Sequence, residues 1–196
     1  MTSALLVVDV QNGFCDPGGS VARLGMGLAG VDAAVANAAR AVEDARATDT
    51  PVVFTRQLYR PGRADEGTNM SAGGLLASVE GLVAGTWDAE VVDELGWTPA
   101  DLTVDKCRLD AFLWTSLDPL LRGLGATDLL VCGVVTNLCV ESTVRAAFMR
   151  DYRVTLLADA CAARTARLHD LGVEVMRDCG LATIGRAADA LSAARP

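Results

Sequence analysis

Apolar residues in this chain gather in short unbroken runs. ALLVVDV (residues 4–10), PVVFT (51–55), LTVD (102–105), DLLVCGVV (128–135), YRVTLLAD (152–159) and LATI (181–184) predict six strands. Runs of aliphatic and β-branched residues without polar alternation suit strands covered on both faces. Helical spacing of Ala, Val and Leu predicts helices over 28–47, 116–124, 139–151 and 164–178, with a last Ala-rich helix at the C-terminus. Asp49-Thr50-Pro51 ends the first of these, because proline has no N–H for the helical ladder. Strands alternating with helices predict a parallel sheet in a doubly wound, three-layer α/β domain. Residues 56–101 break the pattern with RPGRADEGTNMSAGG and AGTWDAE. They are expected to form a long excursion over the edge of the sheet that carries function.

Composition narrows the function. The chain has 196 residues, 51% hydrophobic, enough for one domain over 1–196 with a sizeable core. A net charge of −8 argues against nucleic acid or an anionic membrane as partner, but not against a small anionic substrate. MTSALLVVDV has no basic n-region, and no apolar stretch approaches the ~18 residues of a membrane span. The six cysteines form no C-x-x-C pair, so reduced thiols in a cytoplasmic protein are expected. His169 is the sole histidine, which leaves zinc without its usual ligand cluster. It lies in the polar stretch ARLHDL and reads as a surface or interface residue.

Ligands of open parallel sheets bind beyond the carboxyl ends of the strands. There the chain places Asp9, Lys106 and Cys139: a carboxylate, an ammonium and a thiol. Such a set can activate a nucleophile. A nearby helix N-terminus and Lys106 would lower the thiol pKa, Asp9 would accept its proton, and backbone amides around 135–139 would hold an oxyanion. Plainer readings stand beside this one. A lone cysteine at a strand-to-helix junction is also a small buried hydrophobe, and a strand-end Asp is also a turn former or helix cap.

LLVVDVQNGF, VDKCRLDAF and CGVVTNLCVESTVRAAFMRDYRVTLLADAC, in that order and spacing, resemble the signature segments of the isochorismatase-like cysteine hydrolases. The resemblance implies a Rossmann-like α/β/α domain with a six-stranded parallel sheet. It implies an Asp9–Lys106–Cys139 catalytic triad, a cis peptide between Val134 and Val135, and an oxyanion hole from the amides of Val135 and Cys139. Isochorismatases proper lack the nucleophilic cysteine, and nicotinamidases carry a metal site where this chain reads FTRQLYRPGRADEG without histidine. The pattern is most similar to ureidoacrylate, biuret and N-carbamoylsarcosine amidohydrolases. Maleamate-type and lactam-opening amidases are the alternative, with nicotinamidase and isochorismatase further off.

The expected reaction is hydrolysis of a small amide or ureide through a thioester, with no metal or organic cofactor. Arg56 is a candidate clamp for a substrate carboxylate or ureide oxygen. Phe14 and Trp87 are candidate pocket walls, and Asn137 a substrate contact or helix cap. The remaining cysteines, at 15, 107, 132, 161 and 179, are expected to pack in the interior. Smooth Ala-rich helix faces and the resemblance together suggest a homodimer or homotetramer.

Overall fold

The computed structural model describes residues 2–68 and 81–190. Strands β1 (Thr2–Val8), β2 (Val52–Gln57), β3 (Leu102–Lys106), β4 (Ala126–Val134), β5 (Arg153–Ala162) and β6 (Thr183–Gly185) form one sheet in the order β3-β2-β1-β4-β5-β6. Every pairing is parallel. Helices α1 (Asn12–Cys15), α2 (Ser20–Arg23), α3 (Val31–Ala47), α4 (Leu117–Gly123), α5 (Glu141–Phe148) and α6 (Ala166–Asp178) connect or flank the strands. The result is a single-domain three-layer α/β/α structure. No helix among the described residues is long and apolar enough to cross a membrane.

The unbroken apolar runs are explained by two-sided burial. Ala4 through Val8 are all at most 1% exposed. One face of α3 lies against the sheet, with Ala34, Ala38, Ala41, Val42 and Ala45 buried at helical spacing. Small side chains there let the helix axis approach the strands closely.

Several boundaries depart from the sequence pattern. β1 stops at Val8, and Asp9 follows with φ 53. β2 continues two residues past the expected end, through Gln57. β5 runs on to Ala162, so Asp159 lies inside it and not at its tip. The Asp159 carboxylate accepts the Ala187 amide at 2.8 Å, a structural use. The expected helix from 139 is preceded by a π turn, Thr136–Val140, and α5 begins only at Glu141. The excursion holds single 3₁₀ turns at Trp87–Ala89 and Asp93–Leu95. Its residues 69–80 lie outside the described residues, as does the 191–196 end of the expected C-terminal helix.

The strand order locates the site. The chain runs outward from β1 to β3, then returns to lay β4 beside β1 and runs outward the other way. The switch point falls between β1 and β4, where the two halves diverge and leave a crevice. Gly133 allows these strands to meet there. It has φ 121, and a Cβ on it would stand 2.1 Å from the Val8 carbonyl oxygen.

Candidate active site

Asp9 leaves the tip of β1, Cys139 follows β4, and Lys106 ends β3, with β2 between it and β1. All three are buried, at 0%, 1% and 3% exposure. The Lys106 Nζ lies 2.6 Å from Asp9 Oδ2, crossing over β2. The Cys139 thiol interacts with both the Lys106 ammonium and the Asp9 carboxylate, and the Val135 amide hydrogen-bonds its sulfur. The Val134–Val135 peptide is cis.

Supporting groups come from strand register. Val8 pairs with Thr55, and Gln57 with Lys106. The Thr55 hydroxyl donates to Asp9 Oδ1 at 2.7 Å, and the Asp9 amide donates to the Thr55 carbonyl at 3.2 Å. Lys106 Nζ donates to Gln57 Oε1 and to the Arg108 carbonyl, each at 2.9 Å. Gln57 is in turn held by Gln11: its amide donates to Gln11 Oε1 at 2.8 Å, and Gln11 Nε2 donates to its carbonyl at 3.1 Å. A lysine with its donors committed in this way loses little further entropy when it stabilises a neighbouring anion.

Electrostatics overturn one expectation. The thiol was expected below its ordinary pKa; burial instead pushes Cys139 up to about 12, with Lys106 pulling down and Asp9 pushing up. Burial also works against the Lys106 charge, but Asp9 and Cys139 more than offset it, and its pKa lies above the usual lysine value. Asp9⁻, Lys106⁺ and a neutral thiol sum to zero charge. Moving the thiol proton onto Asp9 keeps that sum at zero, whereas losing it to bulk water leaves a net buried anion. The cluster therefore favours internal proton transfer over a standing thiolate.

Other residues from the sequence pattern fall elsewhere. Arg56 and Asp105 pair on the face opposite Gln57 and Lys106, as strand alternation requires. The Arg56 guanidinium binds Asp105 bidentately at 2.7 and 3.0 Å and lies 5.3 Å over the Trp97 ring, away from the triad. Phe14 is 2% exposed and belongs to the core, while Trp87 is 49% exposed. The Trp87 carbonyl accepts from Asn12 Nδ2 at 2.9 Å. Asn137 sits two residues before Cys139, half-buried, with its Oδ1 buried and unpartnered. His169 is half-buried, its Nδ1 3.0 Å from the hydroxyl of buried Thr136. Cys15, Cys132 and Cys161 are interior, Cys107 is half-buried and Cys179 is exposed.

A hollow of ≈ 120 Å³ is lined by Lys106 together with Leu58, Asp65, Cys107 and Trp114, and a cleft of ≈ 370 Å³ by Glu66, Thr68, Arg108, Asp110, Leu113 and Ser142. The larger hollows, of ≈ 250, ≈ 370 and ≈ 650 Å³, include none of Asp9, Lys106 and Cys139 in their linings, so it is the chemistry of these three side chains and not cavity volume that marks the candidate site. No three His, Cys, Asp or Glu side chains cluster as a metal site among the described residues.

Comparison with known proteins agrees with this architecture. The isochorismatase domain model matches residues 3–188. A ureidoacrylate amidohydrolase RutB of Methylobacterium radiotolerans is 36% identical over 195 residues, spanning 93% of this chain and 73% of the relative. A cysteine hydrolase from Pseudomonas syringae pv. phaseolicola 1448A superposes with TM-score 0.85 at 26% identity, covering 98% of this chain and 93% of that one. N-carbamoylsarcosine amidase from Thermoplasma acidophilum superposes with TM-score 0.76 at 28% identity, covering 95% and 97% of the two chains. With domain match, sheet order and relatives in agreement, the chain belongs to the isochorismatase family and is a hydrolase.

Proposed function

We propose that this hydrolase is a cysteine-dependent amidohydrolase that cleaves the C–N bond of a small linear amide or ureide. The buried cluster of Asp9, Lys106 and Cys139, drawn from three separate strand ends, is the observation that carries this reading. The kinship with proteins named ureidoacrylate amidohydrolase and N-carbamoylsarcosine amidase supports the substrate class.

In the proposed reaction the Cys139 proton passes to Asp9 as the sulfur bonds to the substrate carbonyl carbon. The carbonyl π pair moves onto oxygen, held by the amides of Val135 and Cys139. Collapse of the adduct breaks the C–N bond. The proton on Asp9 goes to the departing nitrogen, releasing ammonia or an amine and leaving a thioester. Water then adds to the thioester carbonyl while Asp9 takes its proton. The C–S bond breaks, the acid departs, and the proton returns to sulfur. Lys106 stays protonated throughout and balances whichever anion its neighbours carry.

Assembly belongs to the same proposal. Trp114, Met149 and Phe148 are 78%, 73% and 48% exposed, a cost that burial in a homodimer or homotetramer would remove. Sedimentation at micromolar concentration tests this; an active monomer of 20.4 kDa overturns it.

The function is tested by ammonia release over a panel of ureides, carbamoyl amino acids and small amides, with Cys139→Ala and Cys139→Ser alongside. Both variants are expected to lose turnover with unchanged thermal unfolding. Mass spectrometry of the quenched parent enzyme should show the acyl adduct on Cys139. A Cys139→Ala protein with the parent kcat would overturn the nucleophile assignment.

A further inference from the structure

The turn that carries Cys139 is irregular. Its Asn137 has φ −90 and ψ 16, outside helical values, and Leu138 and Val140 both donate to the Val135 carbonyl, at 2.9 and 3.3 Å. A turn with so little internal ladder needs support from outside. Helix α6 supplies it. Thr165 caps the helix, its hydroxyl accepting the Leu168 amide at 3.1 Å, so the first turn is fixed in place. His169 lies in that first turn, and Gly172, three residues on, shares its face. Met176 continues the face into the core at 0% exposure.

Two contacts join this face to the nucleophile turn. His169 Nδ1 stands 3.0 Å from Thr136 Oγ1. Gly172 lies flat against Asn137: a Cβ on it would be 3.2 Å from the Asn137 Cβ and 3.3 Å from its Cα. Thr136 is 0% exposed, and among the described residues His169 is the only side chain that bonds its hydroxyl. Thr136 is also the residue after Val135, whose amide reaches the Cys139 sulfur. The histidine thus holds the main chain between the amide that meets the sulfur and the sulfur itself.

We propose that His169 is a positioning residue for the reaction, fixing the Thr136–Cys139 turn through the Thr136 hydroxyl so that sulfur and oxyanion amide keep their alignment. The inference rests on the assignment of Cys139 as nucleophile. A displacement of about 1 Å at a reacting atom costs on the order of 100-fold in rate.

The test is steady-state ammonia release by His169→Ala, His169→Asn, Thr136→Val and the His169→Ala/Thr136→Val double variant, each assayed well below its Tm. His169→Ala and Thr136→Val are each expected to lower kcat roughly 10- to 100-fold with KM within about threefold of the parent. The double variant should be no worse than the poorer single one, because both remove the same link. His169→Asn places an amide where Nδ1 stood and should recover most of kcat. If His169→Ala does not fold, Thr136→Val, close in shape to the parent residue, decides the matter. A kcat within twofold of the parent in the folded single variants, or losses that multiply in the double, overturns the proposal. So does failure of His169→Asn to recover kcat when its Tm matches the parent. Cys139→Ala distinguishes the two levels: if it stays active, the nucleophile assignment falls, whereas an inactive Cys139→Ala beside a fully active His169→Ala removes only the positioning role.

Discussion

Gly133→Ala probes how the fold brings the site together. Gly133 pairs with Val8 at the point where β4 meets β1, one residue before Asp9 and immediately before the cis peptide. An added Cβ would lie 2.1 Å from the Val8 carbonyl oxygen, 2.7 Å from its nitrogen and 2.8 Å from its carbonyl carbon. All three are backbone atoms of a central strand, so no side chain can swing away. An ordinary contact requires roughly 3.4 Å, and the strands must part by about 1 Å in a sheet whose spacing is ~4.8 Å. Overpacking of this kind costs about 1–3 kcal/mol. The φ of 121 adds a further ~1–3 kcal/mol for any residue with a Cβ. A total near 4 kcal/mol corresponds to a Tm loss of about 8–16 °C in a chain of this length. Catalysis should fall as well, about 100-fold, because moving Val8 moves Asp9. Gly62→Ala is the control: φ is 80 there, but nothing lies within 4 Å, so it carries the backbone strain without the clash. Thermal unfolding by circular dichroism and kcat at a temperature where all three proteins are folded give the answer. A Gly133→Ala protein within 3 °C of the parent and fully active would refute the close approach at the switch point.

Other outcomes follow from the charges. Lys106→Met should destabilise the protein by about 3–5 kcal/mol, because it leaves the Asp9 carboxylate buried and uncompensated; Asp9→Asn/Lys106→Met should regain much of that in urea unfolding without regaining activity. Burial holds the Cys139 thiol above its ordinary pKa, so its alkylation by iodoacetamide should still be climbing between pH 8 and pH 10; a rate that has levelled off below pH 8 would show a standing thiolate. Burial raises the thiols of Cys15, Cys132, Cys139 and Cys161 above their unfolded values, the first and last two to about 12. Their contribution to stability is complete below the unfolded pKa of ~8.5 and is lost as pH climbs toward the folded value, by up to ~1.4 kcal/mol per unit for each thiol. Urea midpoints at pH 8 and pH 10 should therefore differ, and equal midpoints would contradict the burial argument. Prolonged EDTA or phenanthroline treatment should leave ammonia release intact; loss restored by zinc would reveal a metal site.

Local patterning determined a good deal on its own. The all-apolar runs of β1 and β4 announced strands covered on both faces, and the polar residue ending each such run is where a parallel sheet exposes chemistry. Their places beyond strand ends made Asp9, Lys106 and Cys139 candidates, but the plainer readings of each gave way only to the resemblance of the three quoted segments, taken together, to a known family. Residues whose roles depend on neighbours distant in the chain were not legible. Ending β2 at Thr55 made Arg56 look like a loop residue free to meet a ligand. Two more residues of strand put Arg56 on the far face and turned Gln57 toward Lys106, a period-2 consequence of where pairing stops. The parts played by Thr55 and Gln57 require β2 to lie between β1 and β3, a strand order that no local pattern encodes. His169 sits among polar neighbours, and its inward direction emerges only when α6 docks on the Thr136–Val140 turn. The thiol shows the same division. Sequence could supply the cation and the carboxylate near Cys139, but the dominant influence is desolvation, and how much water a group loses is decided only when the whole chain closes over it.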